Sequence, residues 1–157
     1  MLELHILIAT TLLIVAVIMD MVTGKFPNWL FITSYIAGAV WLAMSTDSVG
    51  FMKGILFSII IFATLAPLVL IKAIGGGDIK LLTAFSLFVG WQLTVDTFIY
   101  SLFWGLLLGF LKLALSGQLK NFAQLAFNRN SSRANKVPYT VAILLGWFSV
   151  LSIGGFL

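Results

Sequence analysis

Long apolar runs separated by short polar breaks make up most of the chain. Six runs stand out, roughly residues 4–19, 29–44, 51–71, 81–95, 98–115 and 139–156. A helix that crosses a membrane needs about 20 mostly apolar residues, and all six meet or approach that length. None alternates strictly between apolar and polar positions, as a membrane barrel strand does. The pattern predicts an all-α integral membrane protein of about six transmembrane helices, forming one polytopic domain over residues 1–157. The longest break, residues 116–137, is read as a loop. Within it Leu119, Phe122, Leu125 and Phe127 stand among polar residues, which predicts a short helix lying along the membrane surface.

The cations orient these spans. Lys25 falls in the first break, and Lys72 and Lys80 fall in the third. Lys112, Lys120, Arg129, Arg133 and Lys136 lie at or beyond the end of the fifth run. These breaks alternate, so all eight cations share one side. The other side has Lys53 as its only cation, beside Glu3, Asp47 and Asp96. Cytoplasmic loops carry the excess of Lys and Arg, so the eight are expected in the cytoplasm and both termini outside. The first 19 residues contain no Lys or Arg, so the first run reads as a permanent span rather than a cleaved signal.

Composition narrows the classes. Of 157 residues 61% are hydrophobic and 9% charged, against about 45–50% and about 25% in ordinary soluble domains. A soluble domain and a disordered chain are both excluded. The net charge of +4 reads as attraction to anionic lipid rather than nucleic acid. Residues 128–136 are polar and basic but have no interleaved aromatics on which bases would stack. With no cysteine and one histidine, His5, neither a Cys-ligated metal nor a His-rich site is available, and no cofactor is expected. Gly105 and Gly109 read as a small-residue packing face, and Pro67 as a kink.

Two acids remain on the cytoplasmic side. Asp20 ends the first run and Asp78 follows the glycines of Gly75-Gly76-Gly77-Asp78-Ile79-Lys80. The fourth run covers only roughly 22 Å of a core about 30 Å thick. That shortfall predicts that the glycine run dips below the surface as non-helical backbone and carries Asp78 into a recessed, wet pocket. Two carboxylates in one pocket suit an aspartic protease. They share a proton, one takes a proton from water and the other donates to the peptide carbonyl. The residues leave a plainer reading open. Asp78 is also a suitable helix N-cap, and Asp20 a polar stop at the surface.

The segment from Gly75 to Leu82, followed by Gly90-Trp91-Gln92, resembles the second catalytic motif of type IV prepilin peptidases, the GxGD-type intramembrane aspartic proteases. The segment Asp20-Met21-Val22-Thr23-Gly24-Lys25-Phe26-Pro27-Asn28 resembles their first motif, with Phe26 where Ile or Leu is more usual. Lys136-Val137-Pro138-Tyr139 is similar to the Pro-aromatic entry of their last span. The resemblance implies that Asp20 and Asp78 are catalytic. It also implies an active-site loop with Gly75, Gly76, Gly77 and Lys80, with Pro27 and Asn28 beside it. The implied substrate is a prepilin or pseudopilin, cut at the cytoplasmic face of a bacterial inner membrane after a short basic leader. The implied partners are that substrate's helix, anionic lipid and the pilus assembly machinery.

Many members carry an added cytoplasmic segment with paired cysteines and also methylate the new N-terminus. This chain resembles the short, peptidase-only form of tight-adherence (Flp-type) systems, so methylation is not expected. A basic leader meeting a basic face leaves two readings for Lys25, Lys72 and Lys80. They fix topology, or they meet an acidic residue of the mature pilin while the leader rests on lipid. Two rival functions stand beside the peptidase. One is a small transporter component with Asp20 and Asp78 as a proton or cation site. The other is a non-enzymatic assembly subunit.

Overall fold

In lipid every backbone N–H and C=O must be satisfied within the protein, and a helix does this within one segment. The computed structural model describes residues 2–24, 27–71, 74–115 and 139–154, and every regular element among them is helical. They are α1 (Leu2–Thr23), α2 (Asn28–Ser45), α3 (Ser48–Leu70), α4 (Gly76–Leu115) and α5 (Tyr139–Ile153). Four stretches are long and apolar enough to cross a membrane: Leu4–Thr23, Asn28–Ser45, Ser48–Leu70 and Gly76–Lys112, while α5 is shorter. Leu7, Ile36, Met52, Phe103 and Leu106 are exposed on the outer surface, as lipid-facing positions would be. This is a membrane protein.

The 40 residues of α4 do not form one rod. Gly90 takes φ 81° and ψ 170°, a conformation essentially closed to any residue with a Cβ. The two limbs on either side run in opposite senses, as their contacts with α5 reveal. Near the start of α5, Tyr139 meets Ser101 and Gly105 of the second limb and lies within the electrostatic reach of Asp78 in the first. Further along α5, Gly146 is seated against Thr97 and Trp147 against Phe85. The start of the first limb and the middle of the second therefore lie level, and the chain folds back at Gly90. The sequence pattern instead placed this turn between Val95 and Phe98. Asp96 and Thr97 are helical because Thr97 donates to its own helix, at Leu93 O (2.7 Å), and is fully buried under α5.

The first limb is the centre of the bundle. Ile79 and every residue from Leu81 to Phe88 are buried. The limb is mostly apolar on all sides, and Thr83 and Ser86 spend their hydroxyls on carbonyls of their own helix, so it suits such a place. Phe85 meets the Trp147 ring edge-on at 5.0 Å, and Trp147 Nε1 donates to Thr10 Oγ1 of α1 at 2.8 Å. One chain of contacts thus ties α4, α5 and α1. A Cβ on Gly146 would stand 2.7 Å from both Ser101 N and Thr97 O, so the backbones of α4 and α5 touch there. Gly105 leaves room for the Tyr139 ring, whereas Gly109 packs against nothing described. The expected surface helix at 118–127 and the cations Lys25, Lys72, Lys120, Arg129, Arg133 and Lys136 lie outside the described residues.

Candidate active site

Asp20 does not stop α1. The helix continues through Thr23, and Gly24, at φ 66°, closes it by donating its N–H to Asp20 O at 2.8 Å. That left-handed cap suits glycine. Asp20 therefore projects from the last turn of a rigid helix, half-buried rather than loose at the surface.

Asp78 belongs to the first turn of α4. Helix begins at Gly76, so Gly76 and Gly77 are helical and not the open loop that the glycine run predicted. Gly75 precedes the helix, and its carbonyl accepts the N–H groups of Asp78 (3.1 Å) and Ile79 (3.4 Å). Asp78 is consequently not the N-cap of the plainer reading. Its carboxylate bends back over Gly75, where a Cβ would lie only 2.7 Å from Asp78 Oδ2. A bare Cα at 75 is what lets the acid occupy that place.

The two acids share one end of the bundle. Each is half-buried, and Asp20 is close enough for its charge to act on Asp78. The start of α5 completes the surroundings. Thr140 Oγ1 donates to Asp20 Oδ2 at 2.8 Å, and the Tyr139 hydroxyl shares a 2.8 Å hydrogen bond with Ser101 Oγ. Among the described residues no group of three or more His, Cys, Asp or Glu gathers, and the Thr140 hydroxyl is bonded to one acid of the pair.

Lys80 and Asn28 meet each other. Lys80 Nζ donates to Asn28 Oδ1 at 2.6 Å and stands 6.0 Å from the centre of the Phe31 ring. Pro27, in extended conformation, caps α2 just before Asn28. This contact binds the start of α2 to the first turn of α4, beside the acids. Asp47, by contrast, is an ordinary cap that accepts from Gly50 N at 3.0 Å.

Thr140 and Ser101 were not singled out by sequence reasoning. The available signal is position: Thr140 follows the Pro-aromatic pair and opens the last apolar run. A family model described as the type IV leader peptidase family matches residues 7–110, which includes both acids and the connection between them. No curated protein and no solved structure matches the chain closely enough to add to that finding.

Proposed function

Because the chain belongs to the type IV leader peptidase family, we propose that it is a membrane-embedded aspartic endopeptidase acting through Asp20 and Asp78. Its substrates are Flp-like type IV prepilins or pilin-like proteins, from which it removes the short basic leader at the cytoplasmic face. One observation carries this reading. Two acids far apart in sequence, on the last turn of α1 and the first turn of α4, stand at one end of the bundle within electrostatic reach.

The chemistry follows from a shared proton. The ionised carboxylate takes a proton from water as the oxygen attacks the scissile carbonyl carbon. The protonated carboxyl gives its proton to the carbonyl oxygen. The tetrahedral intermediate collapses as the C–N bond breaks, the amine takes the proton held by the base, and the acid recovers its own. The first limb of α4, residues 76–89, rises roughly 21 Å, short of a hydrocarbon core of about 30 Å. This supports a pair recessed from the surface and still reached by water.

The topology that serves this chemistry has six crossing segments: α1, α2, α3, the two limbs of α4, and α5. Both termini lie outside and the acid pair faces the cytoplasm, in the inner membrane of a bacterium. The whole of 1–157 acts as one peptidase domain. The chain has no cysteine, so the paired-cysteine segment of methylating relatives has no counterpart in it, which supports a peptidase without methyltransferase activity. Gly75, Gly76 and Gly77 shape the seat of Asp78, while Lys80, Asn28 and Pro27 hold the mouth of α2 against it.

The test is co-expression with Flp-type prepilins, with the new N-terminus read by mass spectrometry. Wild type cuts just before the hydrophobic helix, and Asp20→Asn and Asp78→Asn, both inserted in the membrane, do not. Intact prepilins with wild type, or cutting by either variant, overturns the two-acid mechanism. Proton-coupled transport through the same acids would then be measured in vesicles.

A further inference from the structure

Threonines in the helices of this protein mostly spend their hydroxyl on their own helix. Thr10, Thr23, Thr33, Thr83, Thr94 and Thr97 each donate to the carbonyl four residues earlier. Thr140, in the first turn of α5, uses its hydroxyl differently. Its hydroxyl has one proton to donate. That proton goes across the bundle to Asp20 Oδ2 at 2.8 Å, between residues on the first and last helices described.

A carboxylate needs such a partner if it is to face one way. The terminal torsion of an aspartate is broad and roughly two-fold, so its rotamer alone does not settle which oxygen points where. Thr140 is well placed to settle it. It is 1% exposed, so bulk water does not compete for the bond. Its helix is locked by the contact of Gly146 with Thr97 and Ser101 and by the bond from Trp147 to Thr10. A donor on a rigid, packed element holds its acceptor far better than one on a loop.

We propose that Thr140 is a positioning residue for the acid pair: by donating to Asp20 Oδ2 it fixes the rotation of that carboxylate and leaves the other oxygen for Asp78 and the attacking water. This inference rests on the aspartic peptidase reading above. It makes the last helix a working part of a site whose acids both come from earlier ones.

The experiment uses the full chain in membranes and in detergent, with a purified Flp-type prepilin as substrate. Thr140→Val keeps the shape and loses the donor, whereas Thr140→Ser keeps the donor. A hydrogen bond to a charged group corresponds to a factor of about 10 to 100 in rate. Thr140→Val is therefore expected to lower kcat by about that factor, with KM for the prepilin within about twofold and Thr140→Ser close to wild type. Wild-type kcat in Thr140→Val overturns the proposal, and so does a Thr140→Ser loss equal to that of Thr140→Val. If Thr140→Val does not accumulate in the membrane, Thr140→Ala takes its place, and equal kcat for Ala and Ser overturns the proposal in the same way. Wild type that leaves prepilin whole removes the peptidase reading and this inference together. Wild type that cuts, with Asp20→Asn dead and Thr140→Val unimpaired, removes the inference alone.

Discussion

Asp47 and Asp78 both stand at helix starts, yet the two turns use their acids differently. At the α2–α3 turn Asp47 immediately precedes the helix, extended, and its Oδ1 accepts the Gly50 N–H three residues on. The acid is used up by its own backbone. At the start of α4 the cap is Gly75, and Asp78 sits inside the first turn with its carboxylate bent over that glycine, within electrostatic reach of Asp20. One acid closes a helix, and the other lies within electrostatic reach of a second acid from elsewhere in the chain. On the function proposed above, a carboxylate's neighbours beyond its own turn, more than its place at a helix terminus, separate a structural acid from a reactive one.

The sharpest break of this contrast is the same substitution at both turns. Asp78→Asn should lower prepilin cleavage by at least about a thousandfold, within the range that proton transfer by a placed side chain provides. Asp47→Asn should leave cleavage within about twofold, since Asn caps helices as well as Asp does. Equal losses at the two positions would erase the distinction.

Gly75→Ala comes next. Its methyl group would meet Asp78 Oδ2 at 2.7 Å and push the carboxylate from its seat. Displacement of a catalytic group by about 1 Å costs on the order of a hundredfold, so a fall of about 10- to 100-fold in kcat is expected, read by single-turnover cleavage. Unchanged kcat would mean that the bent-back position of Asp78 is not the working one.

Smaller effects fall on stability. Gly90→Ala places a Cβ at φ 81° and ψ 170°, and should destabilise the protein by about 1–3 kcal/mol in detergent unfolding, with cleavage per folded molecule near wild type. Asp47→Ala, which removes only the cap, should cost about 1 kcal/mol in the same measurement.

Much of this was legible in the residues. The helical membrane class follows from apolar runs that cannot be covered in a soluble chain of this size, and the acid pair from two carboxylates on one side of an alternating charge pattern. Hydropathy misplaces the turn between the limbs of α4 because it registers Asp96 and Thr97 as a polar break. Thr97 instead satisfies its hydroxyl within the helix, and the chain folds at Gly90, whose polarity is unremarkable and whose conformational freedom hydropathy does not measure. The glycine run suggests open backbone for a related reason. Glycine permits helix as well as loop, and only the contact between Asp78 and Gly75 decides why no side chain stands at 75. Beyond its position, nothing in the sequence marks Thr140, because its use depends on a bond to a residue near the other end of the chain.

That bond has a consequence for how the protein is made. Chains are synthesised and inserted from the N-terminus. Asp20 emerges with the first helix, Asp78 with the fourth, and the hydroxyl bonded to Asp20 only with the last helix described. On the reading advanced above, a chain still attached to its ribosome holds both acids without the group that aims one of them. Order of synthesis would then serve as a safeguard, keeping a protease quiet in the membrane until its bundle is closed.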